Sequence, residues 1–216
     1  MKLTTLAFVG VICLVAAVYG GFVIWANNAE KAPYTITQSW DNIELRNYPN
    51  LVLAEVAVDK SYDDAGNTAF RTLFKYISGE NSASAKIEMT APVMQQPADS
   101  DGEEISMTSP VLQSKSDDGW YVAFVLPAKY TLETAPQPKN PKVMLKQTGP
   151  RDIVAITFTG FWSESRFNRE ADKLAEALTE KGLSFNPTPI IARYNPPFTP
   201  PFLRRNEVMF ELTNQN

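Results

Sequence analysis

The sequence predicts an α+β domain built from two β-β-β-α copies around one core, set behind an apolar N-terminal segment. Three observations predict it. Period-two runs of β-branched residues alternate with single stretches of helical period. The same order of elements recurs about a hundred residues further on, with Ile43-Glu-Leu-Arg against Val143-Met-Leu-Lys at an offset of 100 and Ser61 against Ser163 at an offset of 102. Each copy brings one helix to several strands, so its apolar sheet face is best covered by pairing the copies. A twisted or barrel-like sheet with two helices outside is the expected architecture.

The first copy opens on strand signals at Tyr34-Thr-Ile-Thr, Ile43-Glu-Leu-Arg and Leu51–Val58, separated by Asp41-Asn42 and Pro49-Asn50 turns. Ser61 is a plausible N-cap with Asp63 and Asp64 in the first turn, and Ala69, Phe70, Leu73, Phe74 and Ile77 recur at helical spacing up to Ser78-Gly79. In the second copy Trp120–Leu126, Val143–Lys146 and Ile153–Phe158 precede a helix capped near Ser163. Phe167, Ala171, Leu174, Ala175 and Leu178 form its apolar face, and Lys181-Gly182 its stop. Further strand regions follow each helix: Lys86–Met94 after the first, Pro189–Tyr194 and Glu207–Leu212 after the second. In the last, Val208, Phe210 and Leu212 point one way and Glu207, Met209 and Glu211 the other. Asp99–Glu104 and Lys115–Gly119 read as exposed turns.

Leu3 to Ala26 carries no charged side chain, and a helix of that length covers a hydrocarbon core of roughly 30 Å. Cleavable signal peptides have apolar regions of only about 7–15 residues, so residues 1–26 are expected to be a transmembrane anchor, with a signal segment as the alternative. Ile12 is too bulky before Cys13 for a lipoprotein signal. Lys2 and the α-amino group supply the positive flank, while Glu30 and Lys31 nearly cancel, which keeps the N-terminus in the cytoplasm. Residues 27–33 then form a polar tether. Residues 34–213 are the folded domain, expected on the extracytoplasmic side of the inner membrane, the periplasm in a bacterium.

Composition excludes much chemistry. The 216 residues carry 20 Lys and Arg against 24 Asp and Glu, a net charge of −4, with no basic run longer than Arg204-Arg205. Nothing in this offers a footprint for nucleic acid. With no histidine, and a sole cysteine inside the apolar segment, the usual hydrolytic triads, Cys nucleophiles and His or Cys zinc sites have no residues to be built from. Asp99-Ser-Asp-Gly102 lacks the spacing of a calcium loop. The pairs Asp63-Asp64, Glu103-Glu104 and Asp117-Asp118 lie at a helix start or in polar loops, where water leaves carboxylates ordinary. No Gly-rich phosphate loop is present. The expected reading is a binding protein, not an enzyme, with no catalytic residues and no metal site.

Two near copies, Ile87-Glu-Met-Thr-Ala-Pro-Val-Met94 and Ile105-Ser-Met-Thr-Ser-Pro-Val-Leu112, each hold a proline that blocks ladder pairing. They are expected as edge segments meeting in a hairpin, their methionines either filling core gaps or lining a pocket. In Arg193–Asn206 four prolines hold the backbone near polyproline geometry, and Phe198 and Phe202 stand out stiffly beside Arg204 and Arg205. Such a loop suits a flat ligand bearing carboxylates. It would also serve as a clasp with buried aromatics, or as a proline-rich peptide offered to a partner.

Lys86-Ile-Glu-Met-Thr-Ala-Pro-Val93 and Tyr194-Asn-Pro-Pro-Phe-Thr-Pro-Pro-Phe-Leu-Arg-Arg-Asn-Glu-Val208, in that order, closely resemble the signatures of the SOUL haem-binding family, and the match runs from about Tyr34 to Leu212. The resemblance implies a distorted β-barrel of two repeated halves with two flanking helices. It also implies non-covalent binding of haem or another tetrapyrrole in a hydrophobic groove between the first helix and the proline-rich loop. Carried over residue by residue, it points to Phe70 and Lys75 on the helix and to Pro197, Phe198, Phe202, Arg204 and Arg205 on the loop. A porphyrin buries a wide apolar face while its propionates want Lys or Arg. Thr199 stands where some relatives carry a basic residue. Without histidine, any iron ligand would be Met, Tyr or water.

Overall fold

The computed structural model describes residues 31–82, 93–96, 111–116, 119–195 and 197–213. The apolar segment 1–26, the start of the tether and the turn Asp99–Glu104 lie outside the described residues, within which no helix is long and apolar enough to cross a membrane.

The duplicated unit is present. Strands β1 (Thr35–Trp40), β2 (Ile43–Tyr48) and β3 (Leu51–Val58) lead into helix α1 (Tyr62–Ile77). Strands β4 (Val93–Gln96) and β5 (Val111–Ser116) come next, and then the second copy: β6 (Gly119–Val125), β7 (Met144–Thr148), β8 (Arg151–Phe158) and helix α2 (Glu164–Glu180). Strand β9 (Ile190–Arg193), a 3-10 turn at Pro201–Leu203 and strand β10 (Asn206–Glu211) complete the order. Both helices end alike. Glu80 N–H donates to Lys75 C=O around Gly79 (φ 113°), and Leu183 N–H to Leu178 C=O around Gly182 (φ 67°), the left-handed closure that glycine permits. Ser61 and Ser163 do sit at the caps, but neither side chain bonds the helix backbone: Ser61 Oγ turns to Asp64 and Ser163 Oγ to Ser165.

The copies interleave. The sheet runs β1-β2-β8-β10-β9-β4-β6-β3-β7, all antiparallel, so β8 of the second copy lies between β2 and β10, and β3 of the first lies between β6 and β7. The expected distorted barrel is corrected to an open sheet: among the described residues β1 pairs only with β2, and β7 only with β3. Closure would need those two edges to meet, yet β1 keeps its first five residues exposed. Most of the two near copies, expected to meet in a hairpin, lies outside the described residues, which hold only Val93, Met94, Val111 and Leu112 of them. Strands β4 and β5 pair not with each other but each with β6 and β9.

Two buried clusters lie on the two faces. One holds both helices: Ala69, Leu73 and Tyr76 of α1 over β3 and β6, and Phe167, Leu174 and Leu178 of α2 over β8 and β10. Phe70 is only half-buried and Phe74 exposed, because Tyr62, Ala65 and Tyr76 take the inward positions. The other cluster, with Tyr48, Leu53, Val125, Ile153, Tyr194 and Met209, contains no helical residue among the described residues.

Candidate binding groove

Strand alternation places Glu44, Arg46 and Tyr48 on the helix-free face of β2, and hydrogen bonding through β8 brings β10 with Glu207 two strands away. Arg46 and Glu207 are fully buried, and their side chains meet in a two-pronged pair, Nη1 to Oε2 at 2.7 Å and Nη2 to Oε1 at 2.9 Å. Glu207 also accepts from Tyr194 Oη at 2.6 Å, Arg205 Nη2 at 2.6 Å and Thr157 Oγ1 at 3.1 Å. Arg46 donates a further bond to Glu44 at 2.8 Å and lies 4.5 Å over the Tyr34 ring, whose hydroxyl accepts from Arg205. Two carboxylates thus face two guanidiniums, and the buried charges are balanced.

Burial pushes the Glu207 carboxyl up, but the hydrogen bonds and charges of Arg46 and Arg205 outweigh it and hold the group below the ordinary carboxylate range. Burial pushes the Tyr48 and Tyr194 phenols up, and the Glu207 charge adds to this. The signs follow. A depressed carboxylate stabilises the fold above its unfolded value of about 4.3 and loses that contribution as pH falls through the folded value. A raised phenol stabilises below its unfolded value of about 10 and loses that contribution as pH rises. Thermal midpoints measured across pH should therefore hold a plateau between about pH 5 and 9 and fall on both sides. Tyr48→Phe should soften the alkaline fall; an unchanged alkaline limb would remove Tyr48 from this account.

At the edge of this network a groove of about 660 Å³ opens between the β1–β2 turn and the proline-rich loop. Ser39, Asp41, Asn42, Glu44, Thr157 and Thr159 form its polar side; Phe202, Leu203, Arg204 and Arg205 form the other. The loop is held from behind. Gly160 N–H donates to Pro201 C=O, Trp162 Nε1 donates to Asn206 at 2.6 Å, and Arg204 lies 4.5 Å over the Trp162 ring while donating to Thr199 C=O and Pro197 C=O. Prolines fix φ and remove donors, so these few bonds suffice to keep the loop in one shape. Phe202 is 74% exposed, Leu203 57% and Phe198 44%, which excludes the clasp with buried aromatics. Phe161, 72% exposed, follows Gly160 on the neighbouring loop. Thr199 is 1% exposed, turned into the loop rather than toward a ligand.

Of the residues expected from sequence, Phe202, Arg204 and Arg205 come together at the groove. Pro197 and Phe198 stand exposed on the same loop without lining it. Phe70 lies on α1, stacked on Phe74 at 6.0 Å and edge-on to Phe124 at 5.3 Å, and Lys75 is exposed in the last turn; neither lines the groove. The β1–β2 turn, not the first helix, supplies the other wall of this groove. Sequence reading missed the ion network, whose signal was the Glu-x-Arg-x-Tyr alternation of β2 facing Glu207. The Asp41-Asn42 turn was expected, but not its place in the groove lining; Asp41 there is the one described non-glycine residue with a positive φ, 53°.

The groove fits part of a tetrapyrrole. Phe202 and Leu203 offer an apolar ledge for a flat face, with the guanidiniums of Arg204 and Arg205 beside it. No Met, Tyr or Cys lines the groove, so the residues present fit the macrocycle and its carboxylates but supply none of the expected iron ligands. Among the described residues no group of three or more Cys, Asp or Glu could hold a metal ion.

Comparison with known proteins agrees with this architecture. The family model described as SOUL heme-binding protein matches residues 29–211. Heme-binding protein 2 of Mus musculus is 26% identical over 172 residues, 78% of this chain and 77% of the mouse protein. Heme-binding protein 1 of Xenopus laevis is 25% identical over 155 residues, 72% of this chain and 75% of the frog protein. Among solved structures, the crystal structure of the EcmrR C-terminal domain aligns with a TM-score of 0.51 at 9% identity, covering 84% of this chain and 99% of that one, a likeness of fold alone.

Proposed function

We propose that this chain, which belongs to the SOUL heme-binding protein family, binds haem or a related tetrapyrrole non-covalently, without histidine ligation and without catalysing a reaction. Its relatives carry the names of binding proteins. The observation that carries the reading is the rigid ledge of Phe202 and Leu203, exposed beside Arg204 and Arg205 at the mouth of the groove. An exposed phenylalanine held stiffly binds a flat face at little entropic cost, and its burial contributes about 1.5–3 kcal/mol. Haem would add an iron centre to whatever it is bound to. The chain's own part is to seat the ring on Phe202 and Leu203 and to hold carboxylates against the arginines.

Titration of the full chain in detergent with ferric haem and with metal-free protoporphyrin should give saturable one-to-one uptake of similar affinity for both, because the groove lining supplies no iron ligand. Phe202→Asp should weaken both by about tenfold or more while leaving the thermal midpoint within a few degrees, since the ring is mostly exposed. Equal affinity in Phe202→Asp, or uptake that never saturates, rejects the groove.

The proposal includes membrane tethering with the domain on the extracytoplasmic side, supported by the uncharged Leu3–Ala26 and the positive flank at Lys2. Protease added to intact spheroplasts should then remove the domain. A protected domain would reverse the orientation. One observation favours a second reading, an interaction module for another hydrophobic ligand, peptide or protein: Phe161 is 72% exposed yet is not part of the groove lining, so a ring seated in the groove leaves it without a role. Saturable tetrapyrrole binding that depends on Phe202 separates the two.

A further inference from the structure

Strands β4 and β5 take the same place in the sheet, residue for residue. Val93 and Val111 both pair with Arg193; Met94 and Leu112 both pair with Ala192 and with Ala123; Gln95 and Gln113 both pair with Ile191 and with Val122. The equivalence continues at Gln96 and Ser114, both opposite Tyr121. The structural offset is 18 residues throughout, the same offset that relates Ile87–Met94 to Ile105–Leu112 in the sequence. Each strand also begins on the residue after a proline, Pro92 or Pro110, where ladder pairing first becomes available.

A strand has two hydrogen-bonding edges. One edge of β6 is held by β3 over six paired residues, and one edge of β9 by β10 over four. Neighbouring strands lie about 4.7–4.9 Å apart, so the space between β6 and β9 accommodates one strand and not two. We propose that Val93–Gln96 and Val111–Ser116 are alternative occupants of this one position, so that the domain carries a built-in strand exchange.

The two occupants differ in connection. Strand β5 joins β6 through two residues, Asp117-Asp118, and gains five paired positions on it; β4 gains three and must close a far longer connection. Short closure costs less entropy, so β5 is the resting occupant and β4 the challenger. Gly119 opens β6: at φ +141° a Cβ there would come within 2.4 Å of Val58 C=O, so this end of β6 depends on glycine. Whichever copy is seated, the other is left outside the sheet with its backbone donors available to a partner or to solvent. This inference rests on the sheet register and is independent of the ligand.

Cysteine trapping in the full-length Cys13→Ser chain tests it. Directly opposed antiparallel residues lie within disulfide reach, so Gln96→Cys with Tyr121→Cys reports β4 in place, and Ser114→Cys with Tyr121→Cys reports β5 in place. Under mild oxidation both variants should close an intramolecular disulfide. The triple variant should give both linkages by peptide mapping, the 114–121 linkage in excess. A single linkage in the triple variant, with one double variant never closing, would overturn the exchange. Proline substitution gives a second readout. Gln95→Pro and Gln113→Pro should each leave a cooperative thermal transition, while the two together abolish it. One single variant as damaging as the pair would show that only that copy uses the position.

Discussion

Glu207→Gln should lower the unfolding free energy by about 3–5 kcal/mol, the cost of breaking a buried ion pair from one side. The reason is what remains. Arg46 has no solvent access, and its two-pronged contact at 2.7 and 2.9 Å would be reduced to a neutral amide that can accept at one oxygen only. Arg205 and Tyr194, both aimed at the same carboxylate, would lose their acceptor charge as well. Urea unfolding of the full chain in detergent measures it, with the midpoint expected to shift and the slope to stay. Arg46→Met combined with Glu207→Leu should recover much of the loss, because an apolar pair of similar volume leaves no charge unpaired. A single variant within about 1 kcal/mol of the parent would mean that water reaches the network.

Phe167→Ala should cost about 3–5 kcal/mol by a different route, a cavity. Phe167 is 1% exposed at the start of α2, where its ring meets Phe158 at 5.2 Å and Tyr62 of α1 at 6.2 Å, with the Arg193 guanidinium 5.7 Å from its centroid. It therefore ties the first helix, the second helix and strand β8 together, and few neighbours are free to collapse into the space. Truncation also removes one wall of the Arg193 cage, whose other rings are Tyr62 and Trp162. Because Trp162 bonds Asn206 behind the proline-rich loop, tetrapyrrole uptake should weaken along with stability in this variant. Phe202→Asp should weaken uptake alone, and that contrast distinguishes damage to the loop's support from damage to its binding surface.

The duplicated order of strands and helices was legible because it rests on local rules. Alternation in Leu51–Val58 and Ile153–Phe158, helical spacing in Phe167–Leu178, and glycines at 79 and 182 each act within a few residues. The stiffness of the proline-rich loop was legible for the same reason, as was the projection of Phe202. Helix faces were legible only in part. The spacing through Phe70 and Phe74 was a fair apolar stripe, but Ala65, Ala69 and Tyr76 let α1 lie closer to β3 and β6 along a neighbouring line, and Phe74 was left outside.

What the sequence by itself determined is therefore the repeated β-β-β-α units, the exclusion of histidine and cysteine chemistry from residues 27–216, and the family signatures at Lys86–Val93 and Tyr194–Val208. What only the tertiary structure decided is every relation between distant segments. Strand order brought Arg46 to Glu207 across 161 positions, left the sheet open at β1 and β7 among the described residues, and set the β1–β2 turn beside Phe202. It also paired both Val93–Gln96 and Val111–Ser116 with β6 and β9. The physical reason is common to all four. Local propensity specifies what a segment becomes, whereas its neighbours are chosen by which pairing buries the most apolar surface and leaves the fewest polar groups unpaired, a choice made over the whole chain at once.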